Sequence, residues 1–75
     1  MRFISIERNK SSERVLINVN NIASIDTEPD PTHVGYQNTV YIHMSNGHAI
    51  DTKFTSVGHA VDYIQRAQSV SLSAT

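Results

Sequence analysis

Four histidines, His33, His43, His48 and His59, stand in a chain of 75 residues, and imidazole nitrogen is a common ligand for zinc or nickel. A metal site needs several ligands converging on one point. Here the patterning scatters them: His43 and His48 to opposite faces of a hairpin, His59 to the polar side of a helix, His33 to a loop. No metal site and no cofactor is therefore expected. Asp26, Glu28 and Asp30 alternate like the carboxylates that open an EF-hand calcium loop, but Pro31 stands where that loop needs glycine and Gln37 where a bidentate glutamate should close the shell. A solvated acidic loop, or one facing a basic partner, fits better. Serine, histidine and aspartate are all present, yet no nucleophile elbow, phosphate loop or metalloprotease helix occurs. The expectation is a protein that is not an enzyme, with no catalytic residues.

The basic residues are Arg2, Arg8, Lys10, Arg14, Lys53 and Arg66. Arg8, Lys10 and Arg14 cluster around one polar connector and could meet phosphates, most of all if symmetry multiplied the patch. Against nucleic acid stand the acidic segment, the lack of a paired aromatic stacking platform and a formal net charge of -1. A nucleic-acid-binding regulator using these three residues is the alternative reading.

Periodicity supplies the scaffold on which these groups sit. Arg2 to Arg8 alternates as a strand, with Ile4 and Ile6 on one face and Phe3, Ser5 and Glu7 on the other. Asn9 to Glu13 is a turn-rich connector, and the next strand puts Val15, Ile17 and Val19 on one face and Leu16 on the other. Asn20-Asn21 marks a corner, both residues tolerating the left-handed conformation. In the following strand, Ile22 to Thr27, the isoleucines are three apart, which predicts a bulge or short helical turn near Ala23. Glu28 to Gln37 holds both prolines and reads as a long surface loop. Thr55 to Gln68 is the one clear helix. Val57, Ala60, Val61, Ile64 and Ala67 form its apolar face and Thr55 or Ser56 its cap.

The hairpin between them, "YIHMSNGHAIDT" from Tyr41 to Thr52, has two candidate registers. A two-residue Asn46-Gly47 turn would pair Ile42 with Asp51 and mix apolar with polar on both faces. A three-residue loop, Ser45-Asn46-Gly47, pairs Ile42 with Ile50, Val40 with Thr52 and Met44 with His48, and collects Tyr41, His43, Ala49 and Asp51 on the other face. Gly47 then takes the left-handed position of a type I turn plus G1 bulge. The helix is expected on the Val40, Ile42, Ile50 face.

From Leu16 to Ile64, the segments "LINVNNIASID", "TVYIHMSNGHAID" and "TSVGHAVDYI" resemble FlbD-type small flagellar proteins in their order of strands, Asn-Gly turn and Ser-Val-started helix. The long Pro-rich loop and the lead strand depart from that pattern. The same order in other short bacterial and phage proteins extends the expectation to a phage- or prophage-associated module. The resemblance implies a small α+β module acting through other macromolecules.

A single domain of this length buries only about 60–65% of the surface its unfolded chain exposes, and with no cysteine it has no disulfide or thiolate metal site to compensate. Association is the remaining common remedy. No segment is long and apolar enough for a signal-peptide core or a bilayer span, so a cytoplasmic location is expected. Together these readings predict an α+β fold: one small antiparallel sheet of four or five strands with a C-terminal helix packed on one face, residues 1–68 forming the domain and 69–75 a flexible tail. The predicted function is a non-enzymatic protein-interaction or regulatory module that self-associates. Phe3, Leu16, Tyr36, Tyr41 and His43 form its outer apolar surface. A third reading is small-ligand binding at a subunit interface.

Overall fold

Isoleucine dominates the interior. Ile4, Ile6, Ile17, Ile42, Ile50 and Ile64 form the buried cluster, and all but Ile64 are on strands, where a β-branched side chain packs well on a pleated surface. The computed structural model of the protein describes residues 2–9, 11–29 and 38–70. Lys10, Asp30, His33, Tyr36 and residues 71–75 lie outside them.

Strands β1 (Phe3–Glu7) and β2 (Arg14–Asn18) pair antiparallel, with Ile4 opposite Ile17 and Ile6 opposite Val15. β3 (Ile22–Pro29), β4 (Asn38–Met44) and β5 (Ala49–Asp51) form a second antiparallel sheet in that order. The expected single sheet of four or five strands is thus two sheets, of two and three strands. The reason lies at the free side of β1. β5 is only three residues long, and just past the ends of β5 and β1 the chain forms an isolated Arg8–Thr52 bridge, flanked by Asn9 N–H to Asp51 O (3.3 Å) and Lys53 N–H to Glu7 O (3.4 Å). Beyond that point the carbonyls of β1 are taken by the helix and by the segment on its C-terminal side. The Tyr63 hydroxyl donates to Ser5 O at 2.6 Å, and Val70 N–H to Phe3 O at 2.8 Å. Val70, in the segment expected to be a flexible tail, thus bonds back to β1.

Helix α1 (Val57–Arg66) starts at Ser56, whose hydroxyl accepts from His59 N–H. No glycine ends it. Instead the Arg2 guanidinium donates to the carbonyls of Ile64 (2.6 Å) and Ala67 (2.7 Å), satisfying last-turn acceptors that lack intrahelical partners. Ala60 and Ile64 are buried, whereas Val61, expected on the apolar face, is 37% exposed. Tyr63 takes the flank instead, packing against Phe54 with ring centroids 5.3 Å apart.

The Tyr41–Thr52 hairpin has the three-residue loop. Ile42 pairs with Ile50, Tyr41 with Asp51 and His43 with Ala49; Met44 N–H bonds to His48 O, and Gly47 N–H to Met44 O. Gly47 has φ +93°. The predicted irregularity near Ala23 is a register shift between Ile22 and Ser24. The Asn20-Asn21 corner, expected to be left-handed, is a 3₁₀ turn over Val19–Asn21, because the Asn18 side chain accepts from Asn20 N–H and caps it. Glu28 and Pro29, expected in the loop, extend β3 opposite Thr39 and Asn38.

Candidate functional site

Ile64 of the helix shares the buried cluster with Ile42 and Ile50, and the residues alternating with these isoleucines make the outer face of β3–β4–β5. On β3, alternation puts Ser24, Asp26 and Glu28 on this outer face. On β4 the pairing of Ile25 with Ile42 turns Tyr41 and His43 the same way. Asp26 lies opposite Tyr41, and Asp51 flanks it from β5. His43 reaches diagonally, with Nε2 at 3.0 Å from Asp26 Oδ1, and its ring lies 6.3 Å from that of Tyr41. Asp26, Glu28 and His43 each offer one ligand atom, all within 4.8 Å of one another. Among the described residues no lysine or arginine pairs with Asp26 or Glu28, since the cationic pairs run Lys53–Glu7, Arg14–Glu7 and Arg66–Asp62.

This cluster escaped the sequence reading, which weighed the histidines and the acidic residues separately. The signal was present. Once the isoleucines of "SID" and "YIH" are paired, their neighbours fall on one face.

The proposed interaction residues divide. Tyr41 and His43 stand together on the outer face of β4, whereas Phe3 and Leu16 belong to the first sheet, diagonal to each other across the β1–β2 pair. Leu16 is 45% exposed. Its backbone is as informative as its side chain. Val19 N–H bonds to Arg2 O and Arg8 N–H to Glu13 O, so antiparallel alternation directs the main-chain groups of Ile17 and Val15 toward β1. Those of Arg14, Leu16 and Asn18 point to the other side, where among the described residues β2 has no second strand partner.

Of the basic cluster Arg8, Lys10 and Arg14, Lys10 lies outside the described residues and Arg14 is engaged within the chain. Arg14 donates from Nε to Ser5 Oγ at 2.7 Å and lies 3.7 Å from Glu7. Glu7 also accepts from Lys53 Nζ at 2.9 Å, and this hydrogen bond, with the Lys53 charge, holds its carboxyl below the usual glutamate range despite an opposing desolvation effect. Arg14 could reach a phosphate only by giving up these partners. His48 and His59 lie apart from the cluster, the latter with Nδ1 held at 2.8 Å from Thr55 Oγ1. Among the described residues no helix is long and apolar enough to cross a membrane.

Comparison of the chain with protein-family models, with curated proteins and with solved structures found no match.

Proposed function

We propose that the protein is a small non-enzymatic interaction module that works as a homo-oligomer, two copies joining through the free edge of β2. The open backbone edge at Leu16 carries this reading. A two-stranded hairpin is marginal by itself, and outward-pointing N–H and C=O groups are a template for another strand. Antiparallel pairing of β2 with β2 of a second copy, centred on Leu16, sets Leu16 against Leu16 and Arg14 against Asn18. No like charges meet, and a four-stranded sheet runs across the two-fold axis. The other free edge is less suited. On β3, two copies would bring the Asp26 and Glu28 carboxylates of both chains onto one face, and Pro29 lacks a donor.

Light scattering behind size exclusion tests this. The wild type elutes as a dimer at tens of micromolar, and Leu16→Pro is monomeric, because it removes an N–H that serves the edge and not the β1–β2 ladder. Tyr41→Ala leaves the dimer intact. A monomeric wild type, or a dimer that survives Leu16→Pro and dissociates on Tyr41→Ala, overturns the edge reading.

A further inference from the structure

The geometry points to a divalent transition-metal site on the outer face of β3–β4, with Asp26, Glu28 and His43 as its protein ligands. Two adjacent strands supply the three groups on one face, so the backbone ladder holds them together rather than a loop. Protein nitrogen and oxygen ligands sit about 2.0–2.2 Å from zinc, which places two donors sharing an ion roughly 3–4 Å apart. Asp26 Oδ1 and His43 Nε2, at 3.0 Å, already stand at that separation. The Glu28 oxygen is within 4.8 Å of both and closes the remainder by rotation of an exposed side chain.

Charge points the same way. Asp26 and Glu28 stand two residues apart on one face without a lysine or arginine partner among the described residues, and Asp51 adds a third carboxylate beside Tyr41. An acidic patch that no lysine or arginine among the described residues neutralises attracts a cation, and the imidazole bonded to Asp26 decides which kind. One nitrogen and two carboxylate oxygens suit Zn²⁺, Mn²⁺, Co²⁺ or Ni²⁺, whereas Mg²⁺ and Ca²⁺ prefer oxygen alone and Cu⁺ prefers sulfur. The His43 ring is partly sheltered, its side chain 31% exposed, and rests beside Tyr41, which limits its freedom before an ion arrives. Three protein ligands leave coordination positions open for water or for a group from another molecule.

Calorimetry with Zn²⁺ or Ni²⁺ added to the whole chain reads out stoichiometry and affinity; one ion per chain is expected. Asp26→Asn, Glu28→Gln and His43→Gln each weaken binding tenfold or more, at least the roughly 10–100-fold that loss of an outer-shell partner costs. His48→Gln and His59→Gln leave it unchanged. Because the three ligands are on the outer face, far-UV circular dichroism of the variants stays that of the wild type. A second measurement needs no variant: added Mn²⁺ broadens the amide resonances of residues 24–28 and 41–43 before any others. Absence of binding at millimolar metal overturns the site. So does binding retained when all three ligands are replaced, broadening centred on His48 or His59, or loss of binding in the His48 or His59 variant.

Discussion

Two glycines in this chain respond to the same substitution with opposite signs. Gly47 has φ +93°, and a Cβ built there meets nothing within 4 Å. The cost of Gly47→Ala is therefore conformational and not steric. An L side chain in the left-handed region costs about 1–2 kcal/mol, and at roughly 4–8 °C per kcal/mol for a domain of this size the melting temperature falls by about 4–16 °C. Gly58 stands in the first turn of α1, where a Cβ meets only Ser56 Oγ at 3.8 Å, an ordinary contact. Alanine there gains up to about 1 kcal/mol of helix propensity, so Gly58→Ala raises the midpoint by a few degrees. Urea denaturation of the two single variants, analysed with a common slope, measures both. Gly47→Asn separates conformation from turn chemistry, since asparagine tolerates the left-handed region and should cost less than alanine. A neutral Gly47→Ala would refute the three-residue loop as the determinant of register. Equal signs for Gly47→Ala and Gly58→Ala would refute the assignment of both costs to backbone conformation.

Removing the Arg2 guanidinium with Arg2→Met uncovers the last-turn carbonyls of α1 and costs about 1–2 kcal/mol, read as a lower urea midpoint; Arg2→Lys recovers only part of it, because an ammonium lacks the two-pronged fork. The lowered Glu7 pKa predicts a pH-dependent contribution. Stability is present above the ordinary glutamate range and lost as pH falls through the lowered value, where the folded state must take up the proton. Melting curves of wild type and Glu7→Gln therefore differ most near neutrality and converge in acid; curves that stay parallel would remove the Lys53–Glu7 bond as the cause.

The parts of this fold that local patterns announce are those that one face decides. Ile4, Ile6, Val15 and Ile17 alternate, and the first hairpin pairs them as alternation requires. Ile42 and Ile50 could face each other only with a three-residue loop, and they do. What stayed hidden are the contacts between elements. Arg2 reaches carbonyls 62 and 65 residues away, and the Tyr63 hydroxyl reaches Ser5 across 58. Neither leaves a trace in local periodicity, since an arginine near a strand start and a tyrosine beside an apolar stripe have ordinary surface uses. The Tyr63 contact, with Val70 N–H on Phe3 O, helps divide the strands into two sheets, because these bonds occupy carbonyls of β1 that another strand would otherwise continue along.

The acid–imidazole cluster lies between these cases. Each member is legible as an outward residue of its own strand, Asp26 and Glu28 by alternation within β3 and His43 by its place after Ile42. Their convergence depends on which β3 residue pairs with which β4 residue. The shift between Ile22 and Ser24 fixes this, setting Ser24 rather than Ala23 opposite His43 and bringing the imidazole diagonally within 3.0 Å of Asp26. Were the same residues to run unbulged from Ile22 opposite Met44, Ala23 would stand opposite His43 and every later β3 residue would slip by one, turning Asp26 and Glu28 to the other face. A bulge that looks like a defect in an alternating strand therefore sets the placement of the candidate ligands. Deleting Ala23 removes the extra residue and leaves Ser24 opposite His43, Asp26 opposite Tyr41 and Glu28 opposite Thr39, so calorimetric metal binding should survive the deletion; its loss would refute the dependence of the site on this register.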